Sequence, residues 1–99
     1  MKKINSINQV LQEYFDHNKS ATKILAKDMM PYLILAGIFK SDVKNGLPIK
    51  ELLNRLKKNN KLHLIPFATR IKINTYSNWY FIKTVYSGPV EFVKIKKKV

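Results

Sequence analysis

The sequence predicts an α+β fold, with an N-terminal cluster of three or four helices followed by a small antiparallel β-hairpin or three-stranded sheet. Three observations carry this. Apolar residues recur at helical spacing through the first 58 positions, they alternate with polar residues from Ile65 onward, and the turn-forming pair Asn59-Asn60 separates the two regimes. The 99 residues make one domain, with helices over about 6–59, the sheet over about 63–95 and a basic tail at 96–99.

The first helix opens at Ser6, with Gln9 three positions on in the pattern of a capping box. Ile7, Val10, Leu11, Tyr14 and Phe15 then form one apolar stripe, with Asn8, Gln12, Glu13 and Asp16 on the polar side. His17 falls in the last turn, where it reads as a partner of the helix dipole or a solvated residue rather than a metal ligand. A second helix is expected from about Ser20 to Met29, capped by Ser20 or Thr22 and burying Ala21, Ile24, Leu25 and Met29. Pro31 interrupts the pattern and can start a third helix at its first position, running to Ile38. That helix is apolar almost all round, which predicts a central place, with Gly37 either closing it or allowing a close helix contact. Met29 and Met30 read as core filler.

Asn45-Gly46 is a strong turn dipeptide. Pro48 follows at a helix start, and Ile49, Leu52, Leu53 and Leu56 make a clean buried face for a helix from Leu47 to about Asn59. Lys57 and Lys58 suit its C-terminal end. Ile65, Phe67, Thr69, Ile71 and Ile73 next alternate with Pro66, Ala68, Arg70, Lys72 and Asn74, as in a half-buried strand. Thr75–Asn78 is the expected hairpin connection and Trp79–Tyr86 the return strand. Trp79, Phe81 and Val85 alternate there with Tyr80, Ile82 and Tyr86, both apolar sets, so the pattern leaves the inward face open. Beyond Ser87-Gly88-Pro89, Val90–Ile95 can add a third strand, and Lys96, Lys97 and Lys98 form the tail.

The composition narrows the chemistry. No cysteine is present, which removes disulfides and thiolate metal sites and fits a reducing cytoplasm. The first ten residues have no apolar segment behind Lys2 and Lys3, unlike a secretory signal. The longest apolar run, Met29–Phe39, has 11 residues and contains Pro31 and Gly37. A membrane span needs about 20 apolar residues. A cytoplasmic protein without a membrane role is therefore expected. The three glycines, Gly37, Gly46 and Gly88, are isolated, so no phosphate-cradling loop or dinucleotide fingerprint exists. The six acidic residues form no pair at acid-base or metal-ligand spacing, and His17 and His63 lie far apart. The expectation is a non-enzymatic protein with no cofactor and no bound metal.

The net charge of +13 points to an anionic partner. Residues 1–38 carry 5 basic and 3 acidic side chains, or +2, whereas residues 39–99 carry 14 and 3, or +11. A second explanation stands beside this: Lys, Asn and Ile occupy 37 of 99 positions, and all three have AT-rich codons, so genomic composition can contribute to the lysine content.

Over Leu47–Thr84, a basic helix followed by a two-stranded hairpin, with helices before them, resembles the winged helix-turn-helix superfamily. The resemblance lies in element order. It implies a reader helix in the major groove of duplex DNA and a wing against the adjacent backbone. Carried onto this sequence, Lys50, Asn54, Arg55, Lys57 and Lys58 are the helix contacts and Arg70 and Lys72 the wing contacts. Asn54 and Arg55 are the candidates for base edges, and Arg70 and Lys72 for phosphates. Such a protein would be a small regulator or an accessory protein of a mobile element. The alternative is a protein-interaction module, most simply a homodimer through the aromatic hairpin with Tyr76, Trp79, Tyr80, Phe81 and Tyr86, in which the lysines keep the surface solvated.

Overall fold

Residues 2–84, which the computed structural model describes, form three α-helices and one three-stranded antiparallel sheet. In chain order these are α1 (Lys2–His17), β1 (Lys23–Leu25) running into a 3-10 turn (Ala26–Met29), α2 (Met30–Leu35), α3 (Leu47–Lys58), a second 3-10 turn (Leu62–Leu64), β2 (Ala68–Ile73) and β3 (Tyr76–Ile82). The expected strand at Val90–Ile95, Tyr86 and the lysine tail lie outside the described residues.

The stripe predicted for α1 is present, with Ile7, Leu11 and Phe15 buried. Two details differ. The helix begins at Lys2, so Ser6 and Gln9 are interior residues and form no capping box. Ile4 explains the extension, because it lies one turn before Ile7 and Asn8 on the core side and packs against the core. Asn8, expected on the polar side, is buried, and its Nδ2 donates to the Leu64 carbonyl at 2.8 Å. That bond ties α1 to the connection ahead of the sheet. His17 ends α1, exposed, with Nδ1 donating to the Glu13 carbonyl at 2.8 Å.

The largest departure is at 20–29, where a helix was expected. Lys23–Leu25 instead pairs with β3 in the register Lys23↔Ile82, Ile24↔Phe81, Leu25↔Tyr80. The sheet order is therefore β1-β3-β2, with β3 in the centre. Helical spacing in this segment is overridden because a two-stranded hairpin is marginal alone, and a third strand satisfies the free edge of β3. Ala26 and Met29 still enter the core from the 3-10 turn.

α2 is also shorter than expected, six residues against eight, and of the three or four helices expected the described residues hold three. It is not enclosed: Met30 and Leu33 are buried, but Tyr32 is 46% and Leu35 89% exposed. Gly37 closes it at φ +79°, with Gly37 N–H donating to Ile34 and Ile38 N–H to Leu33, a Schellman end. α3 ends in the same way. Asn60 takes φ +58°, its N–H donates to Lys57, and Lys61 N–H donates to Leu56. Ile49, Leu53 and Leu56 are buried as the pattern predicts.

The core joins these faces to Ile65, Phe67, Trp79 and Phe81, with Phe15 stacked on Phe67 at 6.0 Å between ring centroids.

Candidate nucleic-acid interface

The hairpin turns two residues earlier than expected. Asn74-Thr75 is the connection, Asn74 adopts φ +57°, and Ile73 pairs with Tyr76. Asn tolerates the left-handed conformation better than other non-glycine residues, which places the turn here rather than at Thr75–Asn78.

The shift decides which side chains share a face. Opposed residues of an antiparallel pair project to the same side. Ala68↔Phe81, Arg70↔Trp79 and Lys72↔Ser77 make one face, and Thr69↔Tyr80, Ile71↔Asn78 and Ile73↔Tyr76 the other. Phe81 and Trp79 are buried, so the first face is the inward one at the base of the hairpin. The alternation expected to bury Ile65 through Ile73 therefore holds only for Ile65 and Phe67, which precede the strand. Thr69 and Ile71 are half-buried, and Ile73 is 60% exposed. Arg70 and Lys72, opposite Ile71 and Ile73 as expected, belong to the face that turns toward α3.

Trp79 makes the connection. Its Nε1 donates to Asn54 Oδ1 on α3 at 2.9 Å, and the Arg70 guanidinium lies 5.3 Å from its ring centroid. Charge held over an indole face in this way is favourable. Asn54, Trp79 and Arg70 thus run from helix to hairpin as one contact chain. Trp79 was expected as a strand aromatic; that it fastens the hairpin to the helix is not visible in the sequence, because the partners are 25 positions apart.

Asn54, Arg55, Lys57 and Lys58 are exposed, and Lys50 is half-buried. Lys50, Asn54 and Lys57 follow i, i+4, i+7 spacing and form a row on the flank toward the sheet. Arg55 lies about 100° around the helix from Asn54 and is not drawn to the hairpin. The bond to Trp79 brings Arg70 beside the Asn54 flank of α3; Lys72 shares the strand face of Arg70, Lys57 follows Asn54 along the helix, and Lys58 lies on its outermost face.

Lys50 also faces a polar cavity that includes Lys27, Lys44, Asn45 and Asn78, four residues not expected at a site. The Asn45-Gly46 turn was the one available signal. Gly46 has φ +91°, and a Cβ there would meet Lys27 Cβ at 2.5 Å and Cα at 2.7 Å, so the turn lies directly on the Lys27 backbone.

Among the described residues no group of three or more His, Cys, Asp or Glu side chains could hold a metal ion, and no helix is long and apolar enough to cross a membrane. Compared with known proteins, the chain matches no family model, no curated protein and no solved structure.

Proposed function

We propose that this chain is a small, non-enzymatic, winged-helix-like protein that binds duplex DNA, with α3 in the major groove and the β2–β3 hairpin along the adjacent backbone. The observation that carries the reading is the contact chain Asn54–Trp79–Arg70, which holds a basic helix face and a basic hairpin face side by side. The order α1-β1-α2-α3-β2-β3, with sheet order β1-β3-β2, supports it. In this reading Lys57, Lys58, Arg70 and Lys72 neutralise phosphates. The Trp79 bond engages one side of the Asn54 amide and leaves the Nδ2 donors for a base acceptor such as guanine O6 or N7. Arg55, around the helix, reads a neighbouring base or the opposite backbone.

Anisotropy of a labelled duplex at two salt concentrations tests the proposal. With four phosphates neutralised, affinity falls roughly 150-fold between about 50 and 200 mM salt. Arg55→Ala and Lys58→Ala each weaken binding by about five- to tenfold. No binding at the lower salt concentration overturns the reading.

The second reading, a homodimer, is favoured by a different surface from the aromatic hairpin, whose Trp79 and Phe81 are core residues. Tyr32 and Leu35 are exposed beside Val10 and Tyr14, lining a groove of about 360 Å³ between α1 and α2. Sedimentation equilibrium separates the cases: a monomer at all concentrations removes the dimer, and a dimer abolished by Leu35→Glu supports it.

A further inference from the structure

We propose that the cavity between α3 and the sheet is a phosphate-binding site. Its volume is about 320 Å³, and Lys27, Lys44, Asn45, Lys50, Asn78 and Trp79 line it. That is near the small end of ligand pockets, a size suited to a phosphate or diphosphate group.

The three lysines come from three separate elements: the 3-10 turn after β1, the turn before α3 and the first turn of α3. None of the residues lining the cavity is acidic. Three lysines lining one cavity without an acidic neighbour give it a positive field, which an anion with several oxygens complements while accepting their hydrogens. Asn45 adds an amide donor, and Asn78, whose side chain projects to the other face of the sheet, borders the cavity.

The gathering is built into the backbone. Lys44 and Asn45 both adopt the left-handed conformation, at φ +50° and +53°, ahead of Gly46 at φ +91°. Two successive non-glycine residues in that region are costly. Asp42 Oδ1 holds the turn by accepting from the Gly46 N–H at 2.7 Å, and the missing Cβ of Gly46 allows contact with Lys27. The start of α3 is not the anion donor. Its Gly46 N–H is given to Asp42, its Leu47 N–H goes to the Val43 carbonyl, and Pro48 has none. Recognition therefore falls to the lysine side chains and Asn45. Trp79 is a wall rather than a stacking platform, since it is only 4% exposed and its Nε1 is committed to Asn54. This selects a phosphate over a nucleobase.

The site stands independently of the DNA reading. Its phosphate comes either from a DNA backbone beside α3 or from a free phosphate compound, and one experiment distinguishes the two. Trp79 is the sole tryptophan and reports on the cavity it lines. Inorganic pyrophosphate is titrated at constant ionic strength, followed by Trp79 fluorescence and by calorimetry, which also detects binding without an optical change. Saturable binding is expected, weakened about fivefold or more by Lys44→Gln and by Lys50→Gln but unchanged by Lys61→Gln, an exposed lysine beyond the end of α3 that does not line the cavity. Circular dichroism verifies that the variants are folded. Absence of saturable binding by both methods, or equal weakening by Lys61→Gln, overturns the site. Competitive displacement of bound pyrophosphate by duplex DNA assigns the site to a backbone phosphate, and simultaneous binding of both assigns it to a free phosphate compound. Pyrophosphate binding with no DNA binding at all supports the site and overturns the DNA reading alone.

Discussion

The two ends of the β2–β3 hairpin belong to one continuous strand pair and are held by different forces. At the base, Phe81 is fully buried, Trp79 nearly so, and β1 covers the far edge of β3. At the tip, Ile73 is 60% and Tyr76 75% exposed, although they pair across the ladder as regularly as Ala68 and Phe81 do. The base is fixed by burial and by the Trp79 bond to α3. The tip has only its ladder and its turn. A hairpin anchored in the core at one end and free of it at the other can offer Lys72, Ile73 and Tyr76 to a partner without loss of fold.

Four substitutions probe this contrast, in order of expected effect. Phe81→Ala empties a fully buried aromatic site at the base and lowers unfolding free energy by about 3–5 kcal/mol, measured by urea denaturation. A loss under about 1 kcal/mol would mean that the base is not the anchor. Trp79→Phe keeps the ring in the core but deletes the bond to Asn54, at a cost of about 1 kcal/mol. Because Asn54 is exposed, water can replace the lost partner. DNA affinity should fall as the helix and hairpin lose their common orientation; unchanged affinity would show that the contact chain does not organise the interface. Ile73→Ser and Tyr76→Ser at the tip change stability by less than about 0.5 kcal/mol each. If either costs more than about 1.5 kcal/mol by the same measurement, the tip is packed and the contrast fails.

Much of the candidate site was legible because α3 was. Pro48 at the start, the Ile49, Leu52, Leu53, Leu56 face and Asn59-Asn60 at the end are local signals, and the polar positions of that helix follow by geometry. The face holding Arg70 and Lys72 was also legible relative to Ile71 and Ile73, since alternation is a property of a single strand. Which face turns toward α3 was not legible. That depends on the register set at Asn74 and on where Trp79 packs, and the aromatic β3 offers two apolar faces of similar quality. The lysine cavity was equally hidden, because Lys27 comes to line one cavity with Lys44 and Lys50 only where Gly46 lies against the Lys27 backbone.

The segment at 20–29 shows the same division most clearly. Its apolar spacing suits a helix, and the free edge of β3, more than fifty positions away, makes Lys23–Leu25 a strand. By itself the sequence determined the α+β class, the stripes of α1 and α3, the glycine at the end of α2 and the excess of positive charge. These are properties of neighbours a few residues apart, where periodicity and backbone preference act. Tertiary structure alone decided the third strand, the burial of Asn8, the exposure of Leu35 and the joining of Asn54, Trp79 and Arg70. Each depends on surfaces meeting across long separations, where burial and edge pairing outweigh local preference.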